Sequence, residues 1–504
     1  MDDYYDVVVV GGGNAALSAA LSAREGGATV AVLECAPIEE RGGNSSYTAG
    51  AMRFAYNDSA DLQKLMPELS EQEWAGYDFG TYPETEFYAD LAAVSQYRTD
   101  PVLADILARD SYSTVLWLQG KGVRFLPYSR QSAKVGAKRK WFGGLVAEAV
   151  GGGIGLVDFE YKAAEKAGVA VFYRTFACGL LMGDDGVAGV VVEQDSRRRE
   201  LRAGAVVLAC GGFEANAEWR TRYLGPGWDL AKVRGCRYNQ GAGIRMAIEA
   251  GAQTCGNWSG CHAIAWDRNA PTYGDRTVGE LFSKHSYPYG IVVNAEGNRF
   301  LDEGADFYMY TYAKNGRAVL QQTGQFAWQL FDAQVRHLIY DEYRIKQATR
   351  VTADSIEELI RKIEDVDKVQ LAKTIGAYNA AVTRGGKFDP TIKDGVGTTG
   401  LAIPKSNWAL PLEVPPFEAF AVTCGITFTY GGVKIDADAN IVNIDERPIR
   451  GLYSAGEMVG GIFYFNYPGG SGLTNGAVFG RIAGREAARC ATVRRNSRDV
   501  AKAG

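Results

Sequence analysis

The stretch Asp6-Val-Val-Val-Val10-Gly11-Gly-Gly13-Asn-Ala-Ala16 decides how the rest of the chain is read. Four consecutive β-branched residues with no polar alternation mark a strand buried on both faces, as in a parallel sheet. The glycines after it must turn the chain tightly and let a ligand come close to the backbone. Gly11 permits the turn, Gly13 admits a pyrophosphate, and Ala16 is small enough for the helix over Ala15 to Glu25 to pack on the strand. Asn14 and Ala15 open that helix and are counted with the site. A second strand, Thr29 to Leu33, ends in Glu34, placed to hold a ribose hydroxyl. Strand, G-x-G-x-x-A turn, helix, strand and acid is the order of a dinucleotide-binding unit.

Further glycine clusters decide between dinucleotides. Arg41-Gly-Gly-Asn-Ser45 begins a second glycine-rich loop, in which Gly42, Gly43, Asn44 and Ser45 can cradle a ring system. NAD rarely needs such a loop, whereas FAD is longer. Near the far end, Gly451-Leu-Tyr-Ser-Ala-Gly-Glu457 looks like the second FAD contact of two-domain flavoproteins, with Gly456 at the turn and Glu457 on the ribityl chain. Two separated fingerprints favour FAD. Ala205 to Phe213 reads as a strand returning to the same sheet, with Gly211 either touching the cofactor or only turning the chain. Gly472 and Leu473 start a last helical pattern, Leu473 to Ala488, directly after the glycine-rich turn of Tyr464-Phe-Asn-Tyr-Pro-Gly-Gly-Ser471.

Composition narrows the class. With 504 residues, 46% hydrophobic and 22% charged, the chain can bury a large core in more than one domain. A net charge of -5 with dispersed lysine and arginine argues against a nucleic-acid partner. The three histidines lack metal-ligand spacing, so no metal is expected. The eight cysteines include no C-x-x-C pair and read as reduced, mostly buried thiols of a cytoplasmic protein. The N-terminus lacks the basic and apolar regions of a signal peptide, and no apolar run is long enough for a membrane span.

The pattern is α/β at both ends and changes to loops, aromatics and helices in the middle. The expected architecture is a discontinuous, Rossmann-like FAD-binding domain, residues 1-253 and 402-490. It carries an inserted α+β substrate and catalytic domain, 254-401, and a charged C-terminal tail, 491-504. Tyr88 to Gly168 reads as mainly helical, and Tyr430-Gly-Gly-Val-Lys-Ile435 as the return to the nucleotide domain.

Together these motifs resemble the FAD-binding family of fumarate reductases, succinate dehydrogenases and 3-ketosteroid dehydrogenases over essentially the whole chain. Asp302-Glu-Gly-Ala-Asp-Phe307 and Tyr310-Thr-Tyr-Ala-Lys314 are similar to tricarballylate-type dehydrogenases. The resemblance implies oxidation or reduction of a carbon-carbon bond beside an activating group. It also exposes three departures from the carboxylate enzymes. Their proton-donor arginine, after the segment matching Asn294-Ala-Glu-Gly-Asn-Arg-Phe-Leu-Asp-Glu303, falls at Phe307 or Tyr308. Their H-T-x-G-G histidine is replaced in Phe428-Thr-Tyr-Gly-Gly432. Their N-R-x-G-G arginine is Tyr467 in Asn466-Tyr-Pro-Gly-Gly-Ser-Gly472. Losing three such groups argues against a dicarboxylate, whose charges need partners in a dry pocket.

Ketosteroid dehydrogenases carry a Y-P-G-x-G stretch at the last of these places, and Tyr467 to Ser471 nearly repeats it. The resemblance implies that Tyr467 O-H and the Ser471 N-H hold a ketone oxygen, that Tyr308 removes the α-proton, and that a β-hydride passes to flavin N5. Tyr310 and Tyr312 are the other choices for the base, and Tyr112 a possible assistant. The physical logic is that α-proton removal builds negative charge on the carbonyl oxygen, where a fixed donor acts. The expected substrate is a small cyclic ketone, such as one bearing a single carboxylate (4-oxocyclohexanecarboxylate). The electron acceptor is oxygen, a quinone or a partner protein. Arg41 to Gly50 has no histidine, so FAD is expected to be non-covalent. The alternatives are a tricarballylate-type polycarboxylate dehydrogenase using Arg299, Arg317 or Lys140, and an electron-carrying subunit without substrate chemistry.

Overall fold

The computed structural model describes residues 2–503. The valine strand is β1 (Tyr4–Val10), buried from Tyr5 onward. It leads through the glycine turn into α1 (Asn14–Glu25) and then β2 (Val30–Leu33), parallel to β1 with Val8 opposite Ala31. β3 (Arg197–Leu208) flanks β1 on its other side, also parallel. Ala170–Phe172, the hairpin of Phe176–Gly183 and Gly186–Gln194, Asn440–Val442 and Pro448–Ser454 complete an eight-stranded sheet. The expected α/β nucleotide fold is therefore present, assembled from both ends of the chain.

A second sheet of six strands is organised on one long strand. β4 (Thr254–Asp267) pairs antiparallel with β5 (Phe417–Val433), which also pairs with Lys232–Val233, Phe326–Phe331 and Arg350–Ala353. The second layer is thus not bounded at 254 and 401. It reaches back to Lys232 and forward to Val433, and Tyr430 to Val433 closes β5 rather than re-entering the nucleotide sheet. The glycines there suggest a turn in sequence but serve close approach. A Cβ on Gly432 would lie 2.1 Å from the Met458 carbonyl oxygen.

Between Tyr88 and Gly168 the chain is helical over Glu84–Val94, Pro101–Gly120 and Gly152–Lys166. The segment 125–149 is instead built of short strands, including the hairpin Ser132–Val135 and Lys138–Trp141.

The last helix, α2 (Ser471–Ala503), is longer than its apolar pattern and continues through the expected tail. That segment is not free of the fold: buried Arg494 donates to the Gly204 carbonyl at 2.8 Å, and Arg495 lies 3.1 Å from Asp6 Oδ1. Gly476, Gly480 and Gly484, spaced by four, bring α2 against α1. A Cβ on Gly480 would come within 2.4 Å of the Ala15 oxygen, and one on Gly484 within 2.0 Å of the Ala19 oxygen. No overpacked side chain fits such a crossing. This stripe holds the two helix N-termini side by side.

Candidate active site

One continuous cavity runs from the glycine turn after β1 to the start of α2. At its first end Gly11 has φ +114°, and a Cβ there would be 2.4 Å from the Ala209 oxygen. Only glycine suits that backbone. Gly13 precedes α1 without a side-chain cap, so the Ala15 and Ala16 N–H groups, in the first helical turn, have no acceptor within the helix. They form an anion site. Asn14 ties the parts together, its N–H donating to Ser45 Oγ (3.1 Å) and its amide to the Leu473 carbonyl (2.7 Å). Glu34 directly follows β2, buried, with Oε1 accepting from the Ala36 N–H at 2.8 Å. Burial pushes its carboxyl up and the Ala36 N–H works against that, so its remaining capacity suits hydroxyl partners. Ala16 is fully buried beneath the helix, and Gly42 shapes its loop at φ +102°; neither is on the cavity wall.

Midway, Gly43, Asn44, Gly211, Gly456 and Glu457 line the cavity. Asn44 is a junction: its Oδ1 accepts from the Cys236 N–H (2.9 Å), and its Nδ2 donates to Glu214 (2.6 Å) and the Thr427 carbonyl (2.8 Å). Gly211, at φ +78°, leaves room for Asn239, whose Nδ2 reaches Glu214 Oε1 at 2.6 Å and Glu457 Oε2 at 3.4 Å. Burial first, then Glu214, push the Glu457 carboxyl well above the carboxylate range. A neutral carboxyl can both donate to and accept from polyol hydroxyls. The anion site, the buried acid at 34 and the carboxyl at 457 therefore fit FAD along its length. Acid precipitation is expected to leave yellow flavin in the supernatant; a yellow pellet would show a covalent link instead.

At the second end the tyrosines converge, and the structure sorts the candidates. Tyr310 donates to Asp90 Oδ2 at 2.7 Å and is off the cavity wall. Tyr312, Tyr308 and Tyr467 are buried along it. Tyr312 O-H donates to Tyr467 Oη at 2.7 Å, and the Gly470 N–H donates to the same oxygen at 3.2 Å. With both acceptor sites used, the Tyr467 hydrogen is left to donate elsewhere.

The Ser471 N–H is not the open donor that counting along the motif suggests. α2 begins at this residue, and its first N–H turns back to the Pro468 carbonyl at 3.1 Å. Ser471 itself is fully buried and off the cavity wall. The next residues, Gly472 and Leu473, line the cavity, and their first-turn N–H groups lack helical acceptors.

Tyr308 Oη lies 2.9 Å from Tyr128 Oη. Burial raises both phenols well above 10, and the nearby Arg130 charge opposes it. Tyr112 is elsewhere: its hydroxyl donates to the Asp61 carbonyl at 3.1 Å and its ring packs on Phe54. The phenol that meets Tyr308 is instead Tyr128, which lies in the short-strand segment read as helical. Two hydrogen bonds tie the tyrosine-bearing segments together, from Gly469 N–H to the Met309 carbonyl (3.0 Å) and from the Asn466 amide to the Tyr310 carbonyl. Arg53 grips the same turn, with Nε donating to the Gly469 carbonyl at 2.8 Å.

A buried charged network backs this end. Glu280 meets both Arg130 and Arg234, and Glu342 meets Arg130 at 3.0 Å and His285 Nδ1 at 3.2 Å. Burial alone would raise Glu342, but His285, Arg130 and Lys284 outweigh it and hold its carboxyl at about 2. His285 faces the cavity, and His262 packs on Tyr312, Tyr467 and Phe428. No local motif announces these residues, because the second sheet and the 125–149 segment bring them together. The cations that a polycarboxylate substrate would need, Arg299, Arg317 and Lys140, are not on the cavity wall. Arg299 pairs with Glu303, Arg317 donates to the Ser259 carbonyl, and Lys140 lies exposed on the hairpin.

A dinucleotide cradle joined in one cavity to a buried cluster of proton-donating side chains defines an FAD-dependent oxidoreductase. The sequence matches the FAD binding domain family over residues 6–473, and the chain belongs to that family. It is 30% identical to a fumarate reductase (cytochrome) of Shewanella frigidimarina over 495 residues, 97% of this chain and 77% of that one. It is 27% identical over 387 residues to the 4-oxocyclohex-2-ene-1-carboxylate 5-dehydrogenase of Sinomonas cyclohexanicum, covering 69% of this chain and 62% of the relative. In fold it is similar to the 3-ketosteroid delta1-dehydrogenase from Sterolibacterium denitrificans, with a TM-score of 0.73 at 21% identity over 97% of this chain and 100% of that one. Among the described residues no helix is long and apolar enough to cross a membrane.

Proposed function

We propose that the protein is an FAD-dependent dehydrogenase that introduces a C=C bond α,β to the carbonyl of a small cyclic ketone. The observation that carries this reading is the hydrogen-bond pattern at Tyr467. Its oxygen accepts from Tyr312 and Gly470, leaving a polarised O-H for a carbonyl. FAD, when bound, supplies the two-electron acceptor for the hydride lost from Cβ.

The chain's own residues account for the other half of the reaction. Tyr467 O-H and the Gly472 N–H, in place of the Ser471 N–H, stabilise negative charge as it grows on the carbonyl oxygen. Tyr308 takes the α-proton. Its own proton moves to Tyr128, whose phenolate is disfavoured by burial, a penalty that the Arg130 charge and the hydrogen bond from Tyr308 partly offset. Phe428, Phe463 and Leu473 on the wall keep the site dry, which strengthens each of these interactions.

The 30% identity to a fumarate reductase favours a second reading, in which an unsaturated or polyvalent carboxylate is the substrate. Anaerobic mixing with a panel separates the two. Cyclic ketones are expected to bleach the oxidised flavin within seconds, while tricarballylate and succinate leave it unchanged. Bleaching by tricarballylate alone, or reoxidation of reduced flavin by fumarate but not by an enone, would overturn the ketone reading. Bleaching by none of the panel would favour an electron-carrying role, with oxygen, a quinone or a partner protein as the exchange partner.

A further inference from the structure

Among the described residues on the cavity wall, Arg234 is the one arginine or lysine. Its side chain is buried, 7% exposed, and the partners around it leave it under-neutralised. Nη2 lies 3.1 Å from Glu280 Oε2, Nη1 makes a long 3.4 Å bond to Thr427 Oγ1, and the buried Nε has no partner. Glu280 is itself shared, its other oxygen meeting Arg130. Arg130 has a second carboxylate in Glu342, and Lys284 has Asp267 at 3.4 Å. Arg234 has only part of one. A buried guanidinium with unused donors is costly unless an anion completes it.

Its place in the cavity says which anion. Arg234 directly follows the edge strand Lys232–Val233, and its N–H donates to the Ile426 carbonyl of β5, which places it beside Thr427 and Phe428. Its charge acts on Tyr467, Tyr312 and His262, so it belongs to the tyrosine end. The phosphate-binding turn and Glu34 are at the other end.

We infer that Arg234 binds a carboxylate on the substrate, which makes the substrate a cyclic keto acid with its ketone on Tyr467 and its acid group on this guanidinium. This rests on the ketone reading for the position of the carbonyl, but the anion site itself can be tested without turnover. A planar guanidinium that gives only one N–H of Nη1 to Thr427 and one of Nη2 to Glu280 keeps a second N–H on each for a carboxylate. The single cation also explains how one cavity can combine a neutral ketone clamp with an acidic substrate: one charge is matched, not two or three.

The test uses the FAD-loaded enzyme and the variants Arg234→Gln and Arg234→Lys. Cyclohexanecarboxylate, which carries no ketone to oxidise, is titrated by the change it causes in the flavin absorbance spectrum. Arg234→Gln is expected to weaken it by about 10- to 100-fold, with partial recovery in Arg234→Lys. KM for 4-oxocyclohexanecarboxylate is expected to rise by the same factor while KM for its methyl ester changes by less than about threefold, with FAD content retained; kcat on acid and ester should change alike, since the Arg234 charge also acts on Tyr467. Unchanged cyclohexanecarboxylate binding, or an equal rise in KM for acid and ester, would overturn the assignment and leave the ketone chemistry standing. If no ketone reduces the wild-type flavin but cyclohexanecarboxylate binding still depends on Arg234, the ketone reading falls and the anion site stands.

Discussion

Replacing Tyr467 by phenylalanine is expected to lower kcat for ketone oxidation by about 10²- to 10³-fold, the usual effect of removing one donor to a developing oxyanion. The ring volume is kept, so contacts with Phe428, Phe463 and His262 persist. Two donors lose their acceptor, the Tyr312 hydroxyl and the Gly470 N–H. That costs about 1–3 kcal/mol of stability, so folding and FAD content must be measured beside the rate. Tyr312→Phe keeps the Tyr467 hydroxyl and removes only one of the groups polarising it, and the expected loss is smaller, about tenfold. Anaerobic single-turnover flavin reduction at saturating ketone reads the step directly. A Tyr467→Phe enzyme that keeps its FAD and reduces it within a factor of about three of wild type would remove this hydroxyl from the mechanism.

Tyr308→Phe is expected to cost about 10²- to 10⁴-fold in the same measurement, the range for a lost general base. The pH dependence gives an independent sign. Burial raises the Tyr308 and Tyr128 phenols well above 10, against the opposing Arg130 charge. Proton abstraction requires the pair to be deprotonated, and the deprotonated fraction below the pKa grows about tenfold per pH unit. Flavin reduction by ketone should therefore accelerate from pH 7 to 10 in wild type. In Tyr308→Phe that slope should disappear. Tyr112→Phe provides the contrast, because its hydroxyl is committed to the Asp61 carbonyl away from the cavity. Its rate should stay within about twofold of wild type. A pH-independent wild-type rate, or a Tyr308→Phe enzyme as fast as Tyr112→Phe, would move the base elsewhere.

The nucleotide half was legible because its requirements are local. Four valines make a buried strand, and Gly11, directly after it, turns the chain at φ +114°. Each constraint acts within a few residues of the one that signals it. The same holds for Glu34 at the end of β2 and for the glycine loop at 42–45. The second sheet was legible only in part, since β5 contains Gly425, Gly431 and Gly432 and so looks broken. Those glycines answer to Trp266, Trp258 and the Met458 carbonyl, partners distant in sequence.

The substrate end shows the same division at the level of single atoms. Tyr308 and Tyr467 could be singled out because each stands in a recognisable segment. Which hydroxyl donates, and to what, could not, because Tyr128, Tyr312, His285 and Arg234 reach the cavity from four separate parts of the chain. Counting four residues from Tyr467 led to the Ser471 N–H, but the start of α2 turns that group back to Pro468.

The sequence by itself determined the FAD-binding class and pointed to a glycine cradle and a neutral tyrosine at position 467, since backbone freedom and side-chain charge belong to the residue. Only the tertiary structure decided the hydrogen-bond direction at Tyr467, the Tyr308–Tyr128 pair and the lone guanidinium of Arg234. Those depend on which groups share one cavity, where burial and neighbouring charge set what each side chain can donate or accept.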